Sequence, residues 1–268
     1  MELNKIYNEE CLEGMKKIPD KSIDMILCDL PYGTTACKWD SIIPFEPLWK
    51  QYERVIKDNG AIVLTSSQPF TTKLINSNIG NFKYSWVWKK SKATNYVQAR
   101  KRPLKYHEDI VVFAKKQHTY NPQMRKGFKP YKKTQKENYD KDKAVFKDTR
   151  APGSVSMSSG ERFPSTIIEF SNPNNKSIHP TQKPVALFEY LIKTYTKEGE
   201  TVLDNCMGSG TTAIAAINTG RNYIGFELDE GYYKASLERI EKHKEEWNEE
   251  LLWKNYQTVF KMELFGPN

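Results

Sequence analysis

Short apolar runs alternate with segments of helical periodicity on both sides of a long polar stretch, and this alternation restricts the fold most. Residues 22–28 form a buried-strand pattern that ends at Asp29, and residues 61–65 form a second one. Residues 201–203 and 222–227 repeat the pattern later in the chain. The alternation predicts an α/β fold with a Rossmann-like, open, mostly parallel sheet and helices on both faces.

Further elements are predicted between and around these strands. The apolar spacing over residues 44–58 predicts a helix that Asn59-Gly60 ends. The remaining predictions are the strands 85–89 and 109–114 and the helices 69–78, about 184–197, 211–218 and from Glu230 onward.

The pattern dissolves over residues 117–177, which are rich in Lys, Asn, Pro, Gly and Ser. A structureless loop of that length is improbable inside a compact core, so this segment is predicted to be a functional insertion, ordered by its partner. The chain then divides into a catalytic half (1–116), the insertion (117–177) and a second half with a C-terminal helix and tail (178–268).

Composition excludes several classes of protein. No apolar run is long enough for a membrane span, and the first fifteen residues lack the apolar core of a secretory signal. The four cysteines form no CxxC pair, which argues against both a zinc site and a disulfide framework. The sequence therefore predicts a cytoplasmic protein without a metal centre.

The net charge of +8 is distributed unevenly along the chain. Residues 83–105 carry eight basic and no acidic residues, and residues 115–150 carry twelve basic and four acidic ones. The rest of the chain keeps 21 of the 41 basic and 29 of the 33 acidic residues, so it is acidic. An acidic body with two basic, aromatic-containing segments is typical of a polyanion-binding protein, although a solvated lysine-rich surface is the simpler alternative.

A Gly-rich turn follows the predicted strand at 201–203. Gly208 and Gly210 let the backbone turn sharply and approach a ligand, and Glu227 closes the next strand, where a carboxylate can bind two ribose hydroxyls. The spacing Gly208-x-Gly210-x-x-Ala213 also fits a dinucleotide fingerprint, and a tight turn without a ligand is a further alternative. Asp204 disfavours the dinucleotide because its charge would repel a pyrophosphate, whereas it would attract the amino group of a methionine moiety.

The tetrapeptide Asp29-Leu30-Pro31-Tyr32 lies at the end of another strand. An aromatic exocyclic amine is a poor nucleophile, and two acceptors on its N–H groups would hold its nitrogen nearer to sp³ geometry. Asp29 offers a carboxylate, and Leu30 or Pro31 offers a carbonyl. Tyr32 offers a flat face for a flipped base. Alone, the tetrapeptide could equally be an ordinary β-turn.

Together, the two motifs resemble those of the amino-methyltransferases that modify DNA at adenine N6 or cytosine N4. The catalytic motif of that family is (D/N/S)PP(Y/F) and its cofactor motif is DxFxGSG, which here become DLPY and DNCMGSG. Leu30 thus replaces a proline, and Cys206 replaces an aromatic residue; neither change removes a required group. The leading Asp29 resembles the adenine-modifying members, and the order of the motifs resembles the permuted β group.

The resemblance covers residues 1–116 and 178–240, and it implies S-adenosylmethionine as cofactor and a target-recognition region between the motifs. It implies that Thr181 and Lys183, in His179-Pro-Thr-Gln-Lys-Pro184, contact the methionine carboxylate. An acidic residue near the cofactor adenine would be Glu9 or Glu10, between which the sequence does not choose. The implied cofactor residues are Asp204, Cys206, Gly208, Ser209, Gly210, Thr211, Glu227, Thr181 and Lys183.

The expected function is transfer of a methyl group to adenine N6 of flipped-out duplex DNA, by direct attack. Alternatives are a cytosine N4 enzyme on the same scaffold, an RNA or protein-glutamine methyltransferase, and a non-catalytic DNA-binding protein. Double-stranded DNA is the expected partner in a bacterial or phage-encoded setting. A separate restriction nuclease and a second copy of the chain are further candidate partners. No sequence pattern indicates the recognised DNA site.

Overall fold

The computed structural model describes residues 1–33, 40–134, 153–172, 178 and 182–265, with side chains as far as residue 249. The strands are β1 (Lys5–Tyr7), β2 (Ile23–Cys28), β3 (Ile56–Ser66), β4 (Phe82–Lys90), β5 (His107–Phe113), β6 (Tyr131–Thr134), β7 (Val155–Ser158), β8 (Ile167–Phe170), β9 (Thr201–Asp204) and β10 (Asn222–Phe226). The helices are α1 (Cys11–Met15), α2 (Phe45–Val55), α3 (Phe70–Ser77), α4 (Val185–Tyr195), α5 (Thr211–Asn218) and α6 (Glu230–Phe265).

Eight strands form one open sheet in the order β1-β10-β9-β2-β3-β5-β4-β8. Only β5 runs against its neighbours β3 and β4, and all other pairs are parallel. The predicted fold class, a mostly parallel open α/β sheet, is therefore confirmed, with one antiparallel strand that the sequence did not indicate.

The side chains of the central strands point alternately into two apolar layers, one on each face of the sheet. Met25 and Leu27 of β2 pack with buried side chains of α4 and α5, whereas Ile26 and Cys28 pack with those of α1, α2 and α3. Because side chains alternate between the two faces of a strand, a fully apolar strand is stable only when both faces are covered. This explains why β2 has no polar position except Asp24.

The two halves of the chain meet in the middle of the sheet, where β2 pairs in parallel with β9. The chain continues from β2 to β3 on one side and from β9 to β10 on the other. Such a point, where strand order reverses, leaves a crevice at the carboxyl ends of the two strands, and open α/β sheets bind ligands there.

One sequence prediction, the end of the second helix, is wrong. The helix α2 ends at Val55, and Asn59-Gly60 lies inside β3 rather than ending a helix. A Cβ on Gly60 would lie 2.8 Å from the carbonyl oxygen of Asp24, so glycine permits the close approach of β3 to β2 where their register shifts.

The described part of residues 117–177, predicted as an insertion, contains the strands β6, β7 and β8. β8 belongs to the main sheet, and β6 pairs with β7 in a two-stranded ribbon. Residues 122–165 form a compact unit of their own, shorter than the predicted insertion, and residues 1–121 and 166–268 form the other.

Within the unit 122–165, Arg162 contacts two aromatic rings and a backbone carbonyl. Its guanidinium lies 4.6 Å from the ring centre of Tyr131 and 5.4 Å from that of Phe128, and it donates to the Lys129 carbonyl at 2.7 Å. Within the described part of the chain, no helix is both long and apolar enough to cross a membrane.

Candidate active site

A cavity of about 1150 Å³ opens at the carboxyl ends of the central strands. The predicted catalytic residues Asp29, Leu30, Pro31 and Tyr32 line it together with residues 204–209 and Glu227. Two motifs that lie some 175 residues apart in sequence therefore share one cavity. Its volume exceeds the roughly 300–1,000 Å³ that is usual for a small-molecule site, so it has room for both a cofactor and a substrate group.

The pairing of β2 with β9 explains this convergence. Met25 and Ile26 lie opposite Val202 and Leu203, so both strands end at the same edge of the sheet. Asp29 directly follows β2 and Asp204 ends β9. Two carboxylates from distant parts of the chain are thus held on adjacent strands by backbone hydrogen bonds.

The carboxylate of Asp29 accepts from three side chains, which leaves it one further acceptor position. Its Oδ2 accepts from the Lys183 ammonium at 2.6 Å. Its Oδ1 accepts from the Tyr32 hydroxyl at 2.7 Å and from the Thr65 hydroxyl. These three donors determine the direction in which the carboxylate faces.

Lys183 also belongs to a buried charge cluster with Glu108 and Lys90. Its Nζ lies 3.6 Å from Glu108 Oε2, while Lys90 pairs with Oε1 of the same carboxylate. Burial alone would raise the pKa of Glu108, but the two ammonium groups outweigh it and lower that pKa. Burial likewise disfavours the charged Lys183, but Asp29 and Glu108 outweigh it and raise the pKa of Lys183.

Tyr32 stands between Asp29 and an aromatic side chain from α3. Its ring stacks on Phe70, with centroids 5.1 Å apart, and Lys183 Nζ lies 5.7 Å from its ring centre. Burial, reinforced by the nearby charge of Asp29, raises the pKa of its hydroxyl, which stays protonated and able to donate. Leu30 is buried against the apolar layer beneath the turn.

Asp204 is buried and accepts from neutral donors. Its Oδ1 accepts from the Cys206 backbone N–H at 3.0 Å, and its Oδ2 accepts from the Thr212 hydroxyl. Burial raises its pKa to about 6, against the lowering effect of these hydrogen bonds. No ion pair to Asp204 occurs among residues 1–33, 40–134, 153–172 and 182–249.

The Gly-rich turn connects Asp204 to Glu227. Gly208 has a φ of +52° and Gly210 a φ of +78°, a region that side chains other than glycine rarely adopt. The Gly208 N–H donates to Glu227 Oε2 at 2.7 Å, which ties the turn to the end of β10. Burial raises the pKa of Glu227, while its backbone donors at Gly208 and Asp229 oppose this shift.

The hydroxyl side chains of the turn face α6. Arg239 donates to the Ser209 carbonyl at 2.8 Å and to the hydroxyls of Ser209 and Thr211, each at 3.1 Å. Cys206 lines the cavity, and its Sγ accepts from Asn205 at 3.5 Å. These contacts stabilise the shape of the turn.

Two further predicted positions are the acidic residue near the cofactor adenine and Thr181. Glu9 and Glu10 both line the cavity; Glu9 pairs with Lys17, and Glu10 caps α1 through the Glu13 N–H at 2.9 Å. Thr181, together with Cys37, lies outside the described residues.

Sequence reasoning missed Glu108, Lys90, Thr65 and Thr212, which all bond to the predicted carboxylates or their partners. The sequence signal that could have identified Glu108 is its position just before the buried apolar run of β5. Its use required knowing that β5 is antiparallel, because only then does the start of that strand reach the edge where Asp29 lies.

Comparison with known proteins decides the family. A family model described as DNA methylase, of the N6/N4 type, matches residues 23–238. This protein belongs to the N6/N4 DNA methylase family. A DNA adenine methyltransferase, YhdJ of Escherichia coli (strain K12), is 30% identical over 264 residues, which cover 90% of this chain and 83% of that protein. The type II methyltransferase M1.MboII of Moraxella bovis is 28% identical over 255 residues, covering 87% and 94%.

Solved structures show the same fold. The complex of M1.HpyAVI with SAM has a TM-score of 0.59 at 23% identity and covers 88% of this chain and 98% of that one. The cytosine-N4-specific PvuII DNA methyltransferase has a TM-score of 0.61 at 17% identity, with 91% of each chain covered. The predicted family and its cofactor, S-adenosylmethionine, are therefore confirmed.

The cavity fits this cofactor. Asp204 presents a buried carboxylate suited to a cationic group, and Gly208 lines the cavity without a side chain that would fill it. A buried oxygen of Gln182, which also lines the cavity, has no hydrogen-bond partner within the described residues. An acceptor without a partner is costly unless a ligand satisfies it.

Proposed function

We propose that this DNA methyltransferase of the N6/N4 family modifies adenine N6 in duplex DNA after flipping the base out of the helix. The observation that carries the proposal is the position of the Asp29 carboxylate, held by three donors in the cavity that Asp204 and Glu227 also line. The aspartate that begins the tetrapeptide and the adenine-methylating relative YhdJ both favour adenine over cytosine.

In this proposal the catalytic turn prepares the amine. Asp29 accepts one N–H of the exocyclic amine, and a carbonyl of Leu30 or Pro31 accepts the other. The amine nitrogen would then take the methyl group directly, without a covalent intermediate on the enzyme. The bond between that methyl carbon and the cofactor sulfur would break, a neutral thioether would leave, and the proton lost by the nitrogen would pass to solvent. Tyr32 supports the flipped base and keeps Asp29 in position through its hydroxyl.

The cofactor supplies an activated methyl group, and residues of the second half of the chain would hold it. Asp204 is assigned to its amino group and Glu227 to the ribose hydroxyls. The shape of the turn depends on the residues Cys206, Gly208, Ser209, Gly210 and Thr211. Thr181 and Lys183 are assigned to the methionine carboxylate; since Lys183 pairs with Asp29 here, this role would connect cofactor binding to the catalytic turn.

DNA binding is assigned to the basic segments 83–105 and 115–150, whose lysines and arginines suit phosphate contacts. Target recognition is assigned to residues within 117–177. We place the enzyme in a bacterial cytoplasm, where its type II relatives suggest a separate restriction nuclease as a partner.

A cytosine N4 enzyme is the second candidate, because the fold of the cytosine-N4-specific PvuII enzyme matches over 91% of this chain and the same turn could hold either amine. Methylation of an unmodified plasmid, followed by mass spectrometry of its nucleosides, separates the two. N6-methyladenine alone would support the proposal, and N4-methylcytosine alone would contradict it.

Sequencing the same plasmid with detection of modified bases identifies the recognised site. A competition assay with duplex DNA, RNA and a glutamine-containing peptide tests the substrate class. Only duplex DNA should reduce the methylation of labelled plasmid; stronger competition by RNA would contradict the assignment.

A further inference from the structure

The loop that joins β4 to β5, residues 91–106, has a composition unlike that of the surface around it. It carries five basic residues and no acidic one: Lys92, Arg100, Lys101, Arg102 and Lys105. At its tip, in a short 3₁₀ turn, Val97 is fully exposed and Tyr96 is 59% exposed. An apolar tip surrounded by cations suits a polyanion that also has an apolar interior.

The base of this loop belongs to the active-site cavity. Lys90, Thr94 and Lys105 line the cavity together with Asp29. The Lys105 ammonium bonds to the Ser67 hydroxyl, next to the end of β3. The exposed tip is therefore continuous with the wall of the cavity in which the target base would be methylated.

The loop is held in one shape by its own hydrogen bonds. The Asn95 side chain connects its two arms, donating to the Pro103 carbonyl at 3.0 Å and accepting from the Lys105 N–H at 2.6 Å. The Gln98 carbonyl accepts from the N–H groups of Lys101 and Arg102 at 2.8 and 3.1 Å. A preorganised tip loses little conformational entropy when it binds a partner. The exposed apolar side chains of this tip can therefore contribute to binding.

We propose that the β4–β5 loop binds the DNA duplex beside the target base, with Val97 and Tyr96 entering the base stack where that base leaves it. Apolar and aromatic side chains inserted between base steps replace stacking that is lost when a duplex is distorted. The basic residues on the second arm contact the phosphates on either side. This inference rests on the proposed function, because it assumes that the base is flipped.

The test compares two duplexes that contain the site identified by plasmid sequencing. One is fully paired, and the other has an abasic position opposite the target, so that its base leaves the helix without losing pairing. The double variant Tyr96→Ala/Val97→Ala should lose about tenfold or more in kcat/KM on the paired duplex and less than about threefold on the other.

A matched control is Ile79→Ala. Ile79 is 62% exposed and lies just before β4, at the opposite edge of the sheet from the cavity. It should leave kcat/KM on both duplexes within about twofold of the wild type, as expected for a surface substitution. Cofactor binding, measured by calorimetry, should be unchanged in both variants, which separates loss of a DNA contact from misfolding.

A second variant tests the cations separately. The triple variant Arg100→Ala/Lys101→Ala/Arg102→Ala should lower the affinity for both duplexes equally. The slope of log K against log salt concentration should become shallower by about 0.9 for each lost phosphate contact. Equal losses on both duplexes for the tip variant, or no loss on either, would overturn insertion into the stack. A tip variant that altered only the sedimentation of the protein would instead assign the tip to a second copy of the chain.

If the wild-type protein methylates neither duplex, the proposed function fails and the loop is not the cause. If it methylates both and the tip variant behaves like Ile79→Ala, the proposed function stands and this inference fails.

Discussion

Asp29 and Asp204 occupy equivalent positions at the ends of adjacent strands, yet the protein surrounds them differently. Asp29 has a lysine, a tyrosine hydroxyl and a threonine hydroxyl as donors. Asp204 has a hydroxyl and one backbone N–H. Asp29, which we propose to be catalytic, thus has a built-in counter-ion, whereas Asp204, which we propose to bind the cofactor, has none within the described residues.

This difference fits the role that we propose for each carboxylate. A carboxylate that accepts hydrogen bonds from a neutral amine must keep a fixed position, and Lys183 holds Asp29 through its Oδ2. A carboxylate that binds a cationic ligand gains most if the ligand supplies the missing charge, because burial then strengthens the attraction. The raised pKa of Asp204, about 6, is the cost of keeping that position ready.

The largest expected effect is on Asp29. Asp29→Ala should lower kcat by about 10³-fold or more, because the amine loses its charged acceptor, while the cofactor dissociation constant changes less than about threefold. Single-turnover methylation and calorimetry measure the two quantities. Asp20→Ala, which removes an exposed carboxylate paired with Arg54, is the control and should leave both unchanged. Normal methylation by the Asp29 variant would refute its role.

Asp204→Asn should affect cofactor binding, which Asp29→Ala leaves nearly unchanged. Cofactor affinity should fall about 10- to 100-fold, because a buried charge partner is lost, while DNA affinity should be unchanged. In the wild type, cofactor affinity should fall as pH drops below about 6, where the carboxyl takes up a proton, and the variant should lack this dependence. A variant with unaltered cofactor affinity would show that Asp204 does not contact the cofactor.

The same substitution should stabilise the protein. The folded state raises the pKa of Asp204 from 3.8 to about 6, so at neutral pH the buried charge lowers the free energy of unfolding. Removing that charge should raise the free energy of unfolding by about 1–3 kcal/mol at pH 7. The gain should shrink as pH falls from 6 towards 4, because the wild-type carboxyl becomes neutral too. Urea unfolding at pH 7 and pH 4.5 measures it, and a gain that grew at low pH would contradict the explanation.

Glu108→Gln tests the carboxylate that Lys90 and Lys183 share. Lys183 and Lys90 would lose their shared anion, and Lys183 would then pair more closely with Asp29. We expect kcat to fall about tenfold with KM nearly unchanged, and the free energy of unfolding to fall by about 2–4 kcal/mol. A rise in KM without a change in kcat would place Glu108 in substrate binding instead.

The smallest effect is expected at Cys206. Its Sγ makes weak contacts with the Asn205 amide and with the thiols of Cys11 and Cys28, and its position contributes mainly packing. Cys206→Ala should change the cofactor dissociation constant and kcat by less than about threefold. A loss comparable to that of Asp204→Asn would show that the sulfur takes part in cofactor binding.

Local sequence patterns predicted most elements of the main sheet but not all of their limits. The strands β2, β9 and β10 were found because short, mostly apolar runs ended at polar turns. The strand β8 was missed because its four residues lie in a polar context, and its stability comes from pairing with β4. The turn signal at Asn59-Gly60 was misread, because the same glycine also permits the close approach of two strands.

The sequence by itself determined the chemistry at the two strand ends: a carboxylate with a proline-containing turn, and a carboxylate with a glycine-rich turn. Their residue types and local spacing carry that information. Only the tertiary structure decided that β2 and β9 are neighbours, that β5 is antiparallel, and hence that Thr65, Glu108 and Lys183 gather around Asp29. The physical reason is that strand order and direction follow from long-range pairing and the burial of both sheet faces, which no local pattern encodes.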